Sequence, residues 1–153
     1  MKNKEIVVTP YKAEYYEVVI ALFLANCPSY FAKEELEDFK NYLLDQIEDY
    51  FVLLLGDQVI GCGGINYEDQ VGIISWDMLS PTHQGQGLGS ILVKYRLEVL
   101  RSKTQINKVI VRTSQLTYPF YQKQGFILEQ IVKDYWAPGF DLYAMSHADW
   151  NHS

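Results

Sequence analysis

Cysteine is scarce in this chain: Cys27 and Cys62 are the only two among 153 residues. They form neither a Cys-x-x-Cys pair nor a metal-ligand spacing, which excludes a disulfide scaffold and a zinc module as organising principles. Each thiol is expected to act as a small buried hydrophobe in a reducing, cytoplasmic setting. Histidine is nearly as sparse. His83, His147 and His152 lie scattered, so no metal is expected. Long apolar runs are missing too. The longest, Val18 to Ala25, falls far short of the ~20 residues that a bilayer-spanning helix needs. Behind the basic Met1-Lys2-Asn3-Lys4, only Ile6-Val7-Val8 is apolar before Thr9-Pro10, too little for the core of a signal peptide. Positive charge is in deficit, with 13 Lys and Arg against 19 Asp and Glu and a net charge of -6. That balance argues against non-specific binding to nucleic acid and against docking on an anionic membrane. It suits a cationic substrate such as an amine, and equally a merely acidic surface. There is no repeat, low-complexity segment or linker.

What is present is the material of one domain spanning residues 1–153, with a core from about 6 to 146. Hydrophobic residues make up 48% and aromatics 14%, with 12 tyrosines, a composition suited to a real core and a pocket that is partly apolar and partly wet. Ile6 to Thr9 reads as a strand closed by Pro10. Glu14 to Asn26 reads as a helix with Tyr15, Val18, Val19, Leu22 and Phe23 on one face, stopped by Pro28. A second helix is expected from Lys33 to Asp49. It buries Leu36, Phe39, Leu43 and Ile47 and turns Glu34, Glu37, Asp38, Asp45 and Glu48 to solvent. The period then changes to two. Phe51 to Leu55, Val59 to Asn66 and Gly72 to Leu79 are strands joined by short turns, an antiparallel meander. Leu88 to Arg101 is a helix with Leu88, Ile91, Leu92, Tyr95 and Val99 inward. Lys108 to Thr113 is a strand. Thr117 or Tyr118 to Gln124 is a short helix with Thr117 as its N-cap and Gly125 closing it. Phe126 to Lys133 and Asp141 to Ser146 are the last strands, around Ala137-Pro138-Gly139. The order is βααβββαβαββ, an α+β arrangement whose helical crossover makes the sheet mixed.

One junction carries chemistry. In His83-Gln84-Gly85-Gln86-Gly87-Leu88-Gly89 a strand end runs through alternate glycines into a helix. Such a turn exposes consecutive backbone N–H groups that, with the helix dipole, suit a phosphate. A plain tight turn is the alternative. No Lys follows Gly89, so the turn is not a Walker loop. Ser90 stands where a dinucleotide fingerprint needs its third glycine. Gly61-Cys62-Gly63-Gly64 fails the same test at Asn66 and lies in the meander, so it reads as a close-approach or bulge segment.

The pattern Gln84-x-x-Gly87-x-Gly89 resembles motif A of the GNAT superfamily of N-acetyltransferases, and Met78-Leu79-Ser80-Pro81 looks like the strand end that precedes it there. Downstream, Phe120-Tyr121-Gln122-Lys123-Gln124-Gly125-Phe126 is similar to a second segment of that family. The two motifs, in order and on matching elements, extend the resemblance from about Ile6 to Met145. It implies the acyl-CoA N-acyltransferase fold, its sheet splayed between the fourth and fifth strands. It implies acetyl-CoA as co-substrate and an amine of a small molecule or a peptide as acceptor, in a monomer or homodimer. Gln84, Gly85, Gln86, Gly87, Leu88, Gly89 and Ser90 would hold the pyrophosphate. Met78 and Leu79 would pair with the pantetheine arm, and Ser114, standing where many members have Asn, would touch it. A non-catalytic acyl-CoA-binding module on the same fold is the alternative.

The implied reaction is attack of a neutral amine on the thioester. A backbone N–H near Leu79 would polarise the carbonyl. Tyr121 matches the family's general acid, which protonates the departing thiolate; packing is the other role for such a ring. Neutralising a lysine-like amine at pH 7 costs about 4.6 kcal/mol, so a base or a water chain is needed. Ile73 stands where some members have Glu. Asp77, two residues before Leu79 and on its face, is the candidate base. Tyr30 and Phe31, in the loop after the first helix, are the expected acceptor-binding residues, with Tyr135 and Trp136 facing them from the turn between the last strands.

Overall fold

The computed structural model describes residues 5–27 and 29–150; Pro28, expected to end the first helix, and His152 lie outside them. Seven strands form one sheet in the order β1-β2-β3-β4-β5-β7-β6. They are β1 Ile6–Pro10, β2 Asp49–Leu55, β3 Gln58–Glu68, β4 Val71–Leu79, β5 Lys108–Thr113, β6 Phe126–Ala137 and β7 Phe140–His147. Four α-helices join them: α1 Tyr16–Ala25, α2 Leu36–Asn41, α3 Leu88–Arg101 and α4 Tyr118–Lys123. The order is the one the sequence pattern implies.

The α1 and α2 side of the sheet buries Val19, Leu22, Phe23, Phe39 and Tyr42 against Tyr50, Val52 and Cys62. The α3 and α4 side buries Leu92, Val93, Leu97 and Leu100 against Phe51, Ile65, Ile74 and Val111. Tyr50, Phe51 and Val52 thus alternate between the two faces, as neighbours on a strand must. Among the described residues no helix is long and apolar enough to cross a membrane.

Every strand contact is antiparallel except β4 with β5, which pair in parallel from Val71↔Lys108 to Ile74↔Val111. There the pairing stops, although β4 continues to Leu79 and β5 to Thr113. The two strands part, and a cleft opens between them. Short two-residue turns hold the meander together, with Gly56 and Asp69 at positive φ.

Three expectations change. The second helix ends early: α2 passes into a π-helical turn, Tyr42–Gln46, and Ile47 is already extended. Asp49 and Tyr50 are claimed by pairing with Ile65 and Gly64, and the wide turn leaves Leu44 75% exposed. The acidic stripe of that segment does face solvent. On helix α3, Leu88 and Leu92 are buried as expected and Val99 packs against the core, but Ile91 and Tyr95 are exposed while Val93, Arg96, Leu97 and Leu100 are buried. A fully buried arginine sits in the middle of the apolar face, and hydropathy places that face elsewhere. On α1, Val18 turns outward while Val19, Leu22 and Phe23 pack inward.

Candidate active site

A cavity of about 890 Å³ fills the gap where β4 and β5 part. The phosphate-type turn and the ends of α3 and α4 form one rim. The loop after α1, with Trp136 and Phe140, forms the other.

The turn is shaped by two glycines. Gly85 and Gly87 have φ of +81° and +78°, values that cost other residues roughly 1–2 kcal/mol. A Cβ at either would meet nothing within 4 Å, so the glycines leave open space along the backbone. Gly87 is the N-cap of α3 and no side chain caps that helix. Its first N–H groups are therefore available to an anion. Gly89 has a different duty, since a Cβ there would come to 3.3 Å from Phe120. Gln86 is exposed, and the Leu88 side chain packs with Leu53 and Ile60. Neither of these two is among the residues that line the cavity. The Ser90 hydroxyl accepts from Gln124 Nε2 at 2.7 Å and ties α3 to α4.

Asn26, which the sequence reading missed, joins the two rims. It is buried at the end of α1. Its Nδ2 donates to the carbonyls of Leu22 and Leu79 at 2.8 and 3.1 Å. Its Oδ1 accepts from Gln84 Nε2 at 3.3 Å, and its own carbonyl accepts from the amides of Tyr30 and Phe31.

The reacting end of the cleft is built on a β-bulge. Gly64 faces Ser75 and Cys62 faces Met78, so Trp76 and Asp77 stand opposite Gly63 alone. Trp76 takes up the bulge at φ +47°, a strained conformation for a bulky residue. The Gly61–Gly64 segment is thus a close-approach stretch lying opposite the bulge, which itself is on β4. Asp77 Oδ2 accepts the Tyr121 hydroxyl at 2.6 Å, and Asp77 Oδ1 accepts Arg96 Nη2 at 2.5 Å. Burial, and then the Asp77 charge, hold the Tyr121 phenol well above its ordinary range, so it keeps its proton. Arg96 is 0% exposed. Burial opposes its charge, but the Asp77 carboxylate outweighs that and raises the guanidinium's affinity for its proton. Its remaining groups donate to the carbonyls of Gly64 at 3.1 Å and Leu92 at 3.2 Å. Leu88, Leu92, Arg96 and Leu100 recur every fourth residue, and that row was the available signal for a buried arginine.

Asp77 therefore stands in the cleft as expected, though it is not a solitary carboxylate. Two of its roughly four lone-pair positions are taken, and its side chain remains 14% exposed. Ser114 lines the cleft, but its hydroxyl accepts from the Leu116 amide at 3.2 Å. Thr117 holds the N-cap position of α4 without capping it, because its hydroxyl pairs with that of Thr113. Tyr30 and Phe31 line the opposite rim, Phe31 stacking on Trp76 with ring centroids 6.2 Å apart. Trp136 joins them, its Nε1 donating to the Thr113 carbonyl at 3.1 Å. Tyr135 does not line the cleft. It lies exposed on β6, where its hydroxyl accepts from Arg112 at 2.7 Å. Glu35, unremarked in the sequence, is a second carboxylate of the cavity wall. It is 7% exposed, and one oxygen accepts the Ala32 amide at 2.9 Å. Among the described residues, no three His, Cys, Asp or Glu side chains gather to hold a metal ion.

Residues 16–126 match the model of the Acetyltransferase (GNAT) family. A curated relative, glucosamine 6-phosphate N-acetyltransferase of Trypanosoma brucei brucei, is 41% identical over 56 residues. The match spans 37% of this chain and 37% of that protein, little more than a third of either. A ribosomal-protein-alanine N-acetyltransferase from Escherichia coli superposes with a TM-score of 0.78 at 12% identity, over 94% of this chain and 93% of that one. The spermidine N-acetyltransferase of Vibrio cholerae, solved with CoA and spermine, superposes with a TM-score of 0.69 at 19% identity, over 92% and 94% of the two chains. At such identities the superpositions establish the fold.

Proposed function

The chain belongs to the acetyltransferase (GNAT) family, and from that premise we propose that it moves the acetyl group of acetyl-CoA to a primary amine by direct attack in a ternary complex. One observation carries the reading. The cavity that holds the uncapped end of α3 also holds a buried phenol and a carboxylate 2.6 Å apart. In this reading, the backbone from Gln84 to Ser90 receives the pyrophosphate. The free edge of β4 at Met78 and Leu79 takes the pantetheine, with Ser114 beside it. Tyr121 is the general acid and Asp77 the acceptor of the amine's proton. Open space at Gly85 and Gly87 supports the first assignment.

The acceptor enters between Tyr30, Phe31, Trp136 and Phe140. Aromatic faces beside the Glu35 carboxylate favour a cationic amine. Two free thiols, Cys62 buried and Cys27 half-buried, support a reducing cytoplasmic setting. The test is release of CoA thiol from acetyl-CoA across a panel of simple amines, polyamines, aminoglycosides and peptides. Turnover with at least one class is expected. Tight acetyl-CoA binding with no transfer to any of them would favour a non-catalytic binding module instead.

A further inference from the structure

The phenol of Tyr121 has one hydrogen, and it already points at Asp77 Oδ2. If that hydrogen goes to a departing sulfur, a phenolate is left 2.6 Å from a carboxylate, in a place that is 5% exposed. Two adjacent buried anions are strongly disfavoured. The charge is avoided if Asp77 returns a proton to the phenol as the phenol gives its own away. Asp77 can do so if it has just taken a proton from the attacking amine, and its two free lone-pair positions and its exposure to the cleft permit that.

This exchange requires the carboxylate to stay in register with the hydroxyl. The bulge delivers Asp77 into the cleft, and among the described residues the charged group that meets it on the far side is Arg96. Arg96 is fully buried and is not among the residues lining the cavity, so it touches neither substrate. Its fork is fixed at three points, by Asp77, Gly64 and Leu92. Space for it exists because residue 63 is glycine, where a Cβ would lie 2.8 Å from the guanidinium carbon.

Resting on the acetyltransferase reading above, we propose that Arg96 is a positioning residue that fixes Asp77 on the Tyr121 hydroxyl, and that Asp77 and Tyr121 together pass the amine's proton to the leaving sulfur. The balance closes. The C–N bond forms and the C–S bond breaks. The proton on the attacking nitrogen goes to Asp77, the Tyr121 proton goes to sulfur, and the Asp77 proton goes to the Tyr121 oxygen. The products are the amide and CoA thiol, with carboxylate and phenol restored.

A double-mutant cycle on turnover tests this. Asp77→Asn keeps the size of the side chain, exchanges one of its two acceptor oxygens for an NH2 donor and cannot carry the proton, and should lower kcat about 100-fold. Arg96→Lys keeps the charge and loses the fork, and should lower kcat about tenfold. Neither should move the acetyl-CoA Kd more than about twofold. In a Tyr121→Phe background each should cost clearly less than beside Tyr121, because the transfer from Asp77 to the phenol is already cut and only acceptance of the amine's proton remains. The same loss in both backgrounds would make Arg96 structural only and overturn the proposal. Asp77→Asn with wild-type kcat would do so by itself, and decides the matter if Arg96→Lys does not fold. Tyr121→Phe with full turnover would instead remove Tyr121 as the acid, a failure of the underlying reading rather than of the relay alone.

Discussion

Replacing Gly63 with alanine should injure the site from behind. The added methyl would lie 2.6 Å from Asp77 Oδ1 and 2.8 Å from the Arg96 guanidinium carbon, where ordinary contact begins at 3.4 Å. The pair must give way by about 0.7 Å. Neither partner moves freely. Asp77 is in a paired strand, and Arg96 has three hydrogen bonds and no exposure. Overpacking of this kind costs about 1–3 kcal/mol, below the ~3–5 kcal/mol of losing a buried ion-pair partner outright. A loss near 2 kcal/mol corresponds to a melting temperature lower by about 4–8 °C in a chain of this size. Turnover should fall at least tenfold, since the displaced carboxylate no longer meets Tyr121, while acetyl-CoA still binds. Gly56→Ala is the control: it sits at φ +62° in the β2–β3 turn and should cost about 1 kcal/mol with full turnover. The assays are thermal denaturation, acetyl-CoA titration and steady-state kinetics. A Gly63→Ala protein that turns over like wild type would refute the reasoning, because the methyl would then have found room between the ions.

Tyr121→Phe should retain acetyl-CoA affinity and lose most turnover, read by calorimetric titration beside a thiol-release assay. Gly87→Val places a β-branched residue at φ +78° on the N-cap of α3, and should weaken acetyl-CoA binding at least tenfold; a normal Kd would contradict the cradle. His147 Nε2 donates to the Gln124 carbonyl and Nδ1 accepts the Asp149 amide, an arrangement for a neutral ring. Burial lowers its proton affinity below the usual 6.5, although the Gln124 contact pulls the other way. The unfolded chain therefore takes up a proton first, and stability present above pH ~6.5 declines as the pH falls below it. Urea unfolding at pH 7.5 and 5.5 should show that decline, and His147→Gln should reduce it; an identical slope in both proteins would point to other groups.

How far the sequence reached follows a physical rule. Elements defined by local signals were legible: the meander by its period of two, α3 by its length, the α4 stop by Gly125 at φ +101°. The glycine turn was legible because a bare backbone needs glycine wherever the chain sits. Properties that depend on distant partners were not. The end of the second helix was decided by Ile65 and Gly64 on another strand. The inner face of α3 was hidden by Arg96, whose charge is paired across the sheet with Asp77. Asp77 was placed in the cleft from its strand position, yet its two partners come from α3 and α4 and could not be inferred from β4. The Thr117 hydroxyl, expected to cap α4, pairs instead with that of Thr113 on β5.

The parting of β4 from β5 leaves a sheet that is unfinished within its own chain. Beyond Ile74 and Val111 no strand among the described residues completes the inner edge of β4. A molecule that lies along that edge and presents alternating donors and acceptors continues the ladder, so binding is also the last step of sheet formation. Folding and ligand affinity then draw on one free energy. Any ligand held at 100 times its Kd adds about 2.7 kcal/mol to the fold. The melting temperature of this protein thus doubles as a gauge of how much of any ligand for that edge is within reach.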